Sequence, residues 1–155
     1  MDNNWILRRY NSIITTKYID MTKVTATNGE LVELINGLFQ VSELPGVDFG
    51  IVVAKNIKAL QEVLSPLEKI GTPTPEFISL SQQINELANK KDDEGIKTLE
   101  ESNQELISHR REQLEKLEAE MTETAEVELV HFSKDVLPES ITGQQIINIQ
   151  TLITQ

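Results

Sequence analysis

The sequence predicts an α+β fold, predominantly α: a helical hairpin or bundle with a small two-stranded sheet closing the ends of the domain. Three observations carry this. Apolar residues recur at offsets of three and four through most of the chain, the period of a helix face. Residues 23–27 and 126–132 alternate with period two instead and contain the β-branched Val24, Thr25, Val127 and Val130. Neither segment has a nearby hairpin mate, so pairing across the length of the chain satisfies both backbones with the fewest assumptions.

Residues 1–20 differ from the rest. They hold the only Trp, both Tyr residues, and Arg8, Arg9 and Lys17 against Asp2 and Asp20. Their early acid and missing apolar core argue against a signal peptide. Met21 reads as a natural chain start. Residues 1–20 are then an upstream extension, or a docking arm with Trp5, Ile6, Tyr10, Ile13 and Ile14 spaced for a helix face.

Residues 21–155 read as one helical domain. After the first strand, Asn28 is a candidate cap for a helix whose stripe is Leu31, Leu34, Ile35, Leu38 and Phe39. Pro45 and Gly46 end it. Val53, Ile57, Leu60, Leu64 and Leu67 then repeat at 4-3-4-3, a narrow seam of the coiled-coil type. Ser65-Pro66-Leu67-Glu68 is a capping box with Pro at the first helical position, so a kink or restart is expected there. Residues 71–75 form the clearest break. Thr74 and Pro75 open a third helix with Phe77, Leu80, Ile84 and Leu87 on one face. Residues 90–95 lack any apolar side chain and contain Gly95, which predicts an exposed turn. From Ile96 to Met121 a charged helix carries a thinner stripe, including Leu106, Leu114 and Leu117, which suggests exposure or completion by a partner. Thr142 and Gln145 form a further capping box, opening a terminal helix with Ile146, Ile149, Leu152 and Ile153.

Composition excludes several functions. The 155 residues carry 25 acidic and 14 basic side chains, a net charge of −11, which is unsuited to gripping nucleic acid by its phosphates or docking on anionic lipid. No run approaches the ~18 apolar residues of a membrane span. The absence of cysteine removes disulfides, thiolate catalysis and Cys-type metal sites.

Catalytic motifs are missing. Neither phosphate-cradling glycine pattern occurs. Only His109 and His131 could serve a Ser–His–acid arrangement; His131, two residues before Ser133, reads as a half-exposed strand residue. Glu101, Glu105, His109 and Glu112 share one helix side, but a bundle-type dimetal site needs two Glu-x-x-His motifs on facing helices. A solvated charged face is the simpler account. No enzyme, no metal and no cofactor are expected. Between Asp92 and Glu128, 13 acids face four bases, either a solvated helix or a surface that attracts a basic partner.

Lys23-Val24-Thr25, Asn28-Gly29-Glu30-Leu31, Leu44-Pro45-Gly46-Val47, Ala54-Lys55-Asn56 and Glu126-Val127-Glu128-Leu129 follow one another in an order that resembles a group of small tailed-bacteriophage proteins of unassigned function. The resemblance covers most of residues 21–155 and transfers no catalytic residue. It implies a non-catalytic phage accessory protein in the host bacterial cytoplasm or the virion, working through contacts with itself or with other phage or host proteins. Virion structure or assembly is the first expectation, a host-directed inhibitor or ligand-sequestering decoy the alternative. Partner-binding candidates are Trp5 and Tyr10 of the arm, Ile57, Leu60 and Leu64 of the seam, and Arg110, Arg111 and Leu114 of the acidic helix.

Overall fold

Thr27 ends a strand and begins a helix. Strand β1 (Met21–Thr27) runs directly into α1 (Asn28–Val41). The cap is Thr27 rather than Asn28: its Oγ1 accepts from the Glu30 N–H at 3.2 Å, and Glu30 Oε2 accepts from the Thr27 N–H at 2.8 Å. The computed structural model describes residues 21–154. These form two compact units: unit 1 comprises 21–64 and 124–154, and unit 2 comprises 65–123.

In unit 1, β1 pairs antiparallel with β2 (Thr124–Val130), Met21 opposite Val130 and Thr27 opposite Thr124. The two alternating segments therefore do find each other, and the fold is α+β, predominantly α. β2 starts and ends two residues earlier than its sequence pattern suggests. Val127 and Leu129 point inward and are buried, while Glu126 and Glu128 are exposed. A two-stranded sheet is marginal alone and needs an apolar layer against it. Leu31, Leu34, Ile35, Leu38 and Val41 of α1 supply part of the core, and Phe39 is left exposed. Helix α2 (Val47–Gly71) adds Phe49, Val52, Val53, Leu60 and Leu64. The Phe49 and Phe132 rings lie 5.2 Å apart at 33°. The end of the chain is tied in by the Phe132 N–H, which donates to the Leu152 carbonyl at 2.6 Å, and by the Thr154 N–H, which donates back to Phe132 at 2.9 Å.

Helix α2 continues through Pro66, so the expected restart at Ser65 does not occur. Proline costs this helix one hydrogen bond. Leu64 and Leu67, buried on either side of it, offset that cost.

Unit 2 is helical. α3 (Pro75–Asn89) starts as expected, with Thr74 Oγ1 accepting from the Phe77 N–H. It ends in a Schellman turn. Lys91 takes a φ of 58°, its N–H donates to Ala88, and the Asp92 N–H donates to Leu87. α4 (Asp93–Ser102) begins immediately, capped by Asp92 Oδ1, which accepts from the Gly95 N–H at 2.9 Å. Gly95 is therefore no breaker. It lies in the first turn, where a Cβ would meet Asp92 Oδ2 at 2.5 Å. The long helix expected over 96–121 is interrupted at Asn103, before α5 (Gln104–Thr122). Asn103 Nδ2 takes the Leu99 carbonyl that its own N–H would use in a continuous helix.

The terminal helix is shorter than its apolar pattern. α6 (Gly143–Asn148) starts at the Thr142–Gln145 capping box and stops at Ile149, and a single 3₁₀ turn follows. Its approach to α1 depends on Gly37, where a Cβ would meet the Asn148 carbonyl oxygen at 2.7 Å. Gln145 Nε2 and Asn148 Nδ2 donate to the Gln40 carbonyl and Gln40 Oε1. Gly37→Ala is expected to lower stability by about 1–3 kcal/mol despite alanine's better helix propensity, because the facing atom is backbone. A urea-unfolding midpoint, with amide exchange showing the loss concentrated in α6, checks this.

Candidate interaction surfaces

The seam residues divide. Leu60 and Leu64 are enclosed in the core, so the expectation that they face a partner is corrected: the apolar face of α2 is satisfied by the chain itself. Ile57 is half-buried. Trp5 and Tyr10 lie outside the described residues. In unit 2, Arg110 is engaged internally. It donates from Nη2 to the Gly71 carbonyl at 2.8 Å, and its guanidinium lies 5.9 Å from the centre of the Phe77 ring. Arg110 therefore ties α5 to α3 and to the end of α2 rather than reaching outward. Arg111 is exposed, and Leu114 is 46% exposed.

Unit 2 has a thin interior. Its buried apolar side chains are Leu67 and Leu80 alone among the described residues. Ile78 is 44% exposed, and Phe77, Ile84, Leu87, Leu99 and Leu106 are only half-buried. Open grooves run between its helices, one of about 670 Å³ past Leu87 and Leu99. Glu100, Glu101, Glu105, Glu112, Glu115 and Glu118 are all exposed on α4 and α5.

Asn56 is the polar centre of unit 1, and sequence reasoning missed its role. Only 1% exposed, it donates from Nδ2 to the Val130 carbonyl at 2.8 Å, and its Oδ1 accepts from the Val130 N–H at 2.8 Å. A side-chain amide here does what a third strand's backbone would do. The signal was present: position 56 falls on the stripe of Phe49, Val52, Val53 and Leu60, so it had to be buried with partners.

That pair also sets the phase of the sheet. Val130 directs both backbone groups away from β1, so the alternate residues Leu129, Val127 and Ala125 bond to Thr22, Val24 and Ala26. On β1, Lys23 and Thr25 then point their N–H and C=O outward, where they find no backbone partner among the described residues. Thr27 points the same way, and its N–H goes to Glu30. Beside this edge lies a groove of about 680 Å³ between β1, α1 and α6.

Glu30 has a carboxyl held below its ordinary value, first by the Thr27 N–H and then by the Thr27 hydroxyl. A lowered carboxyl contributes stability above the ordinary glutamate range and loses it as pH falls through the folded-state value. Glu30→Gln is therefore expected to be less stable than the parent at pH 7, with the two converging in acid. Urea unfolding at both pH values checks this.

His109 lies on α5 in unit 2, and His131 follows β2 in unit 1. His131 is half-buried, with Nε2 shielded and without a hydrogen-bond partner among the described residues, and the Ser133 hydroxyl accepts from the Asp135 N–H as a cap. The break at Asn103 puts Glu101 on α4, whereas Glu105, His109 and Glu112 are on α5. Among the described residues no group of three His, Cys, Asp or Glu side chains is arranged to hold a metal ion. No described helix is long and apolar enough to cross a membrane. No protein-family model matches the chain, and neither a curated protein nor a solved structure is similar to it.

Proposed function

We infer that this chain is a non-catalytic bacteriophage accessory protein that acts through protein–protein contacts in virion structure or assembly. The thin interior of unit 2 supports this. A 59-residue helical segment with two buried apolar side chains leaves its stripes half-covered, and a partner helix or a second copy is the ordinary way to cover them. The phage setting rests on the resemblance of residues 21–155. The exposed acids of α4 and α5 favour a second reading, a host-directed inhibitor that draws in a basic bacterial factor.

The test combines two exposed positions. The parent is expected to sediment as an oligomer at micromolar concentration, or as a stable complex with a phage protein. Ile78→Glu with Leu114→Glu is expected to sediment as a monomer with unchanged helix content. A monomeric parent that also joins no complex with phage or host proteins would sink the proposal. Mass spectrometry of purified virions separates the two readings: presence favours assembly, and confinement to infected-cell cytoplasm favours the host-directed role.

A further inference from the structure

We propose that the outer edge of β1 is a docking site for an extended, basic segment of another protein, added as a third strand. This site is on unit 1 and is independent of the helical surface of unit 2.

The two edges of the sheet differ at Val130. Asn56 closes the β2 edge at Val130 by occupying both backbone groups. The β1 edge has no such cover among the described residues. Exposed edges are usually blunted by proline, a bulge or an inward-pointing charge. β1 contains no proline, and its pairing register is unbroken from Met21 to Thr27. Its one charge, Lys23, is held in an ion pair with Glu126 across the sheet.

The groove beside the edge specifies its occupant. Lys23 and Thr25 present N–H and C=O at the two-residue spacing of a strand, which fits an extended chain and not a helix. Val24 and Ile147 line the groove over the buried Leu31 and Leu34 and offer apolar contacts to alternate side chains of the guest. Ile147 is 62% exposed, a large apolar surface otherwise left to water. Gly37 lets α6 close against α1 and so forms the floor of the groove. Among the described residues, the ionisable groups of the lining are Glu30 and Glu33, with no lysine or arginine. Glu30 is committed to Thr27, whereas Glu33 is exposed and makes no ion pair among the described residues. Charge complementarity therefore selects a guest with lysine or arginine beside its apolar positions.

The probe is a synthetic nine-residue peptide, Lys-Val-Thr-Val-Lys-Val-Thr-Val-Lys, added to the full isotope-labelled chain and followed by NMR. The amides of Lys23 and Thr25 are expected to shift and to gain at least tenfold protection from hydrogen exchange. A peptide with glutamate in place of lysine is expected to bind at least tenfold more weakly, as is the parent peptide to Glu33→Lys. Thr25→Pro removes one outward N–H without touching a bond to β2 and is expected to abolish binding. Glu33→Lys, on the exposed face of α1, carries the test if Thr25→Pro does not fold. Equal binding of the two peptides, or shifts confined to residues 65–123, would overturn the proposal. So would Lys23 and Thr25 amides already protected before peptide is added, since the edge would then be taken by the chain itself or a second copy.

Discussion

Asn56→Leu is expected to cost unit 1 about 2–6 kcal/mol, although leucine has the same branching as asparagine and suits the surrounding stripe. The substitution leaves the Val130 N–H and carbonyl buried with no partner, and each orphaned group costs about 1–3 kcal/mol. Asn56→Asp restores an acceptor for the N–H but removes the donor to the carbonyl and buries a charge, so it is expected to be no milder. Urea unfolding followed by far-UV circular dichroism checks the loss. Amide exchange should place it at β2. A stability within 0.5 kcal/mol of the parent for Asn56→Leu would mean that Val130 finds other partners.

The architecture of unit 1 was legible in the sequence because its signals are local and redundant. Val24/Ala26 and Val127/Leu129 each alternate, and two isolated strands leave one pairing available. The Thr142–Gln145 capping box and the Thr74–Pro75 start were equally readable, since each is a short motif with its own hydrogen-bond logic. Ser65–Glu68, by contrast, lies inside a continuous helix, and the Thr27–Glu30 box sits one residue before the cap expected at Asn28. What failed has physical reasons too. Asn103 breaks a helix through a side-chain bond to Leu99 that competes with the backbone, and nothing in its polarity separates it from the exposed residues around it. Leu60 and Leu64 carried a seam that looked available to a partner. Spacing alone does not tell whether an apolar face is covered from inside or outside the chain. The β1 edge was invisible for a different reason: its phase depends on which side of β2 Asn56 occupies, a contact spanning 74 residues.

Leu129→Asp is expected to unfold unit 1, with a loss of about 4 kcal/mol or more. Leu129 is 0% exposed on the inner face of β2. Removing its apolar surface costs about 1.5–3 kcal/mol, and an unpaired carboxylate in its place adds several more. Glu128→Gln one position away is the control, since Glu128 lies opposite Lys23 and a lysine there would add a like-charge pair. Glu128 is exposed, and its replacement is expected to stay within about 0.5 kcal/mol of the parent. A thermal midpoint for Leu129→Asp equal to that of the parent would mean that this face of β2 is open to water.

The pairing of Met21 with Val130 spans 109 positions, with all of unit 2 translated between the two strands. At synthesis rates of about 5–20 residues per second, β1 leaves the ribosome roughly 5–20 s before its mate exists. The helices of unit 2 bond locally and need nothing downstream, so they can form during that interval. Unit 1 cannot. Its first half, with the stripe from Leu31 to Val41 uncovered, waits for β2, Phe132 and Leu152, which are encoded after all of unit 2. Nascent chains of this protein can therefore pass through a stage in which unit 2, whose sequence is complete first, has formed and unit 1, begun before it, has not; the half-built unit is the species a holdase chaperone would meet.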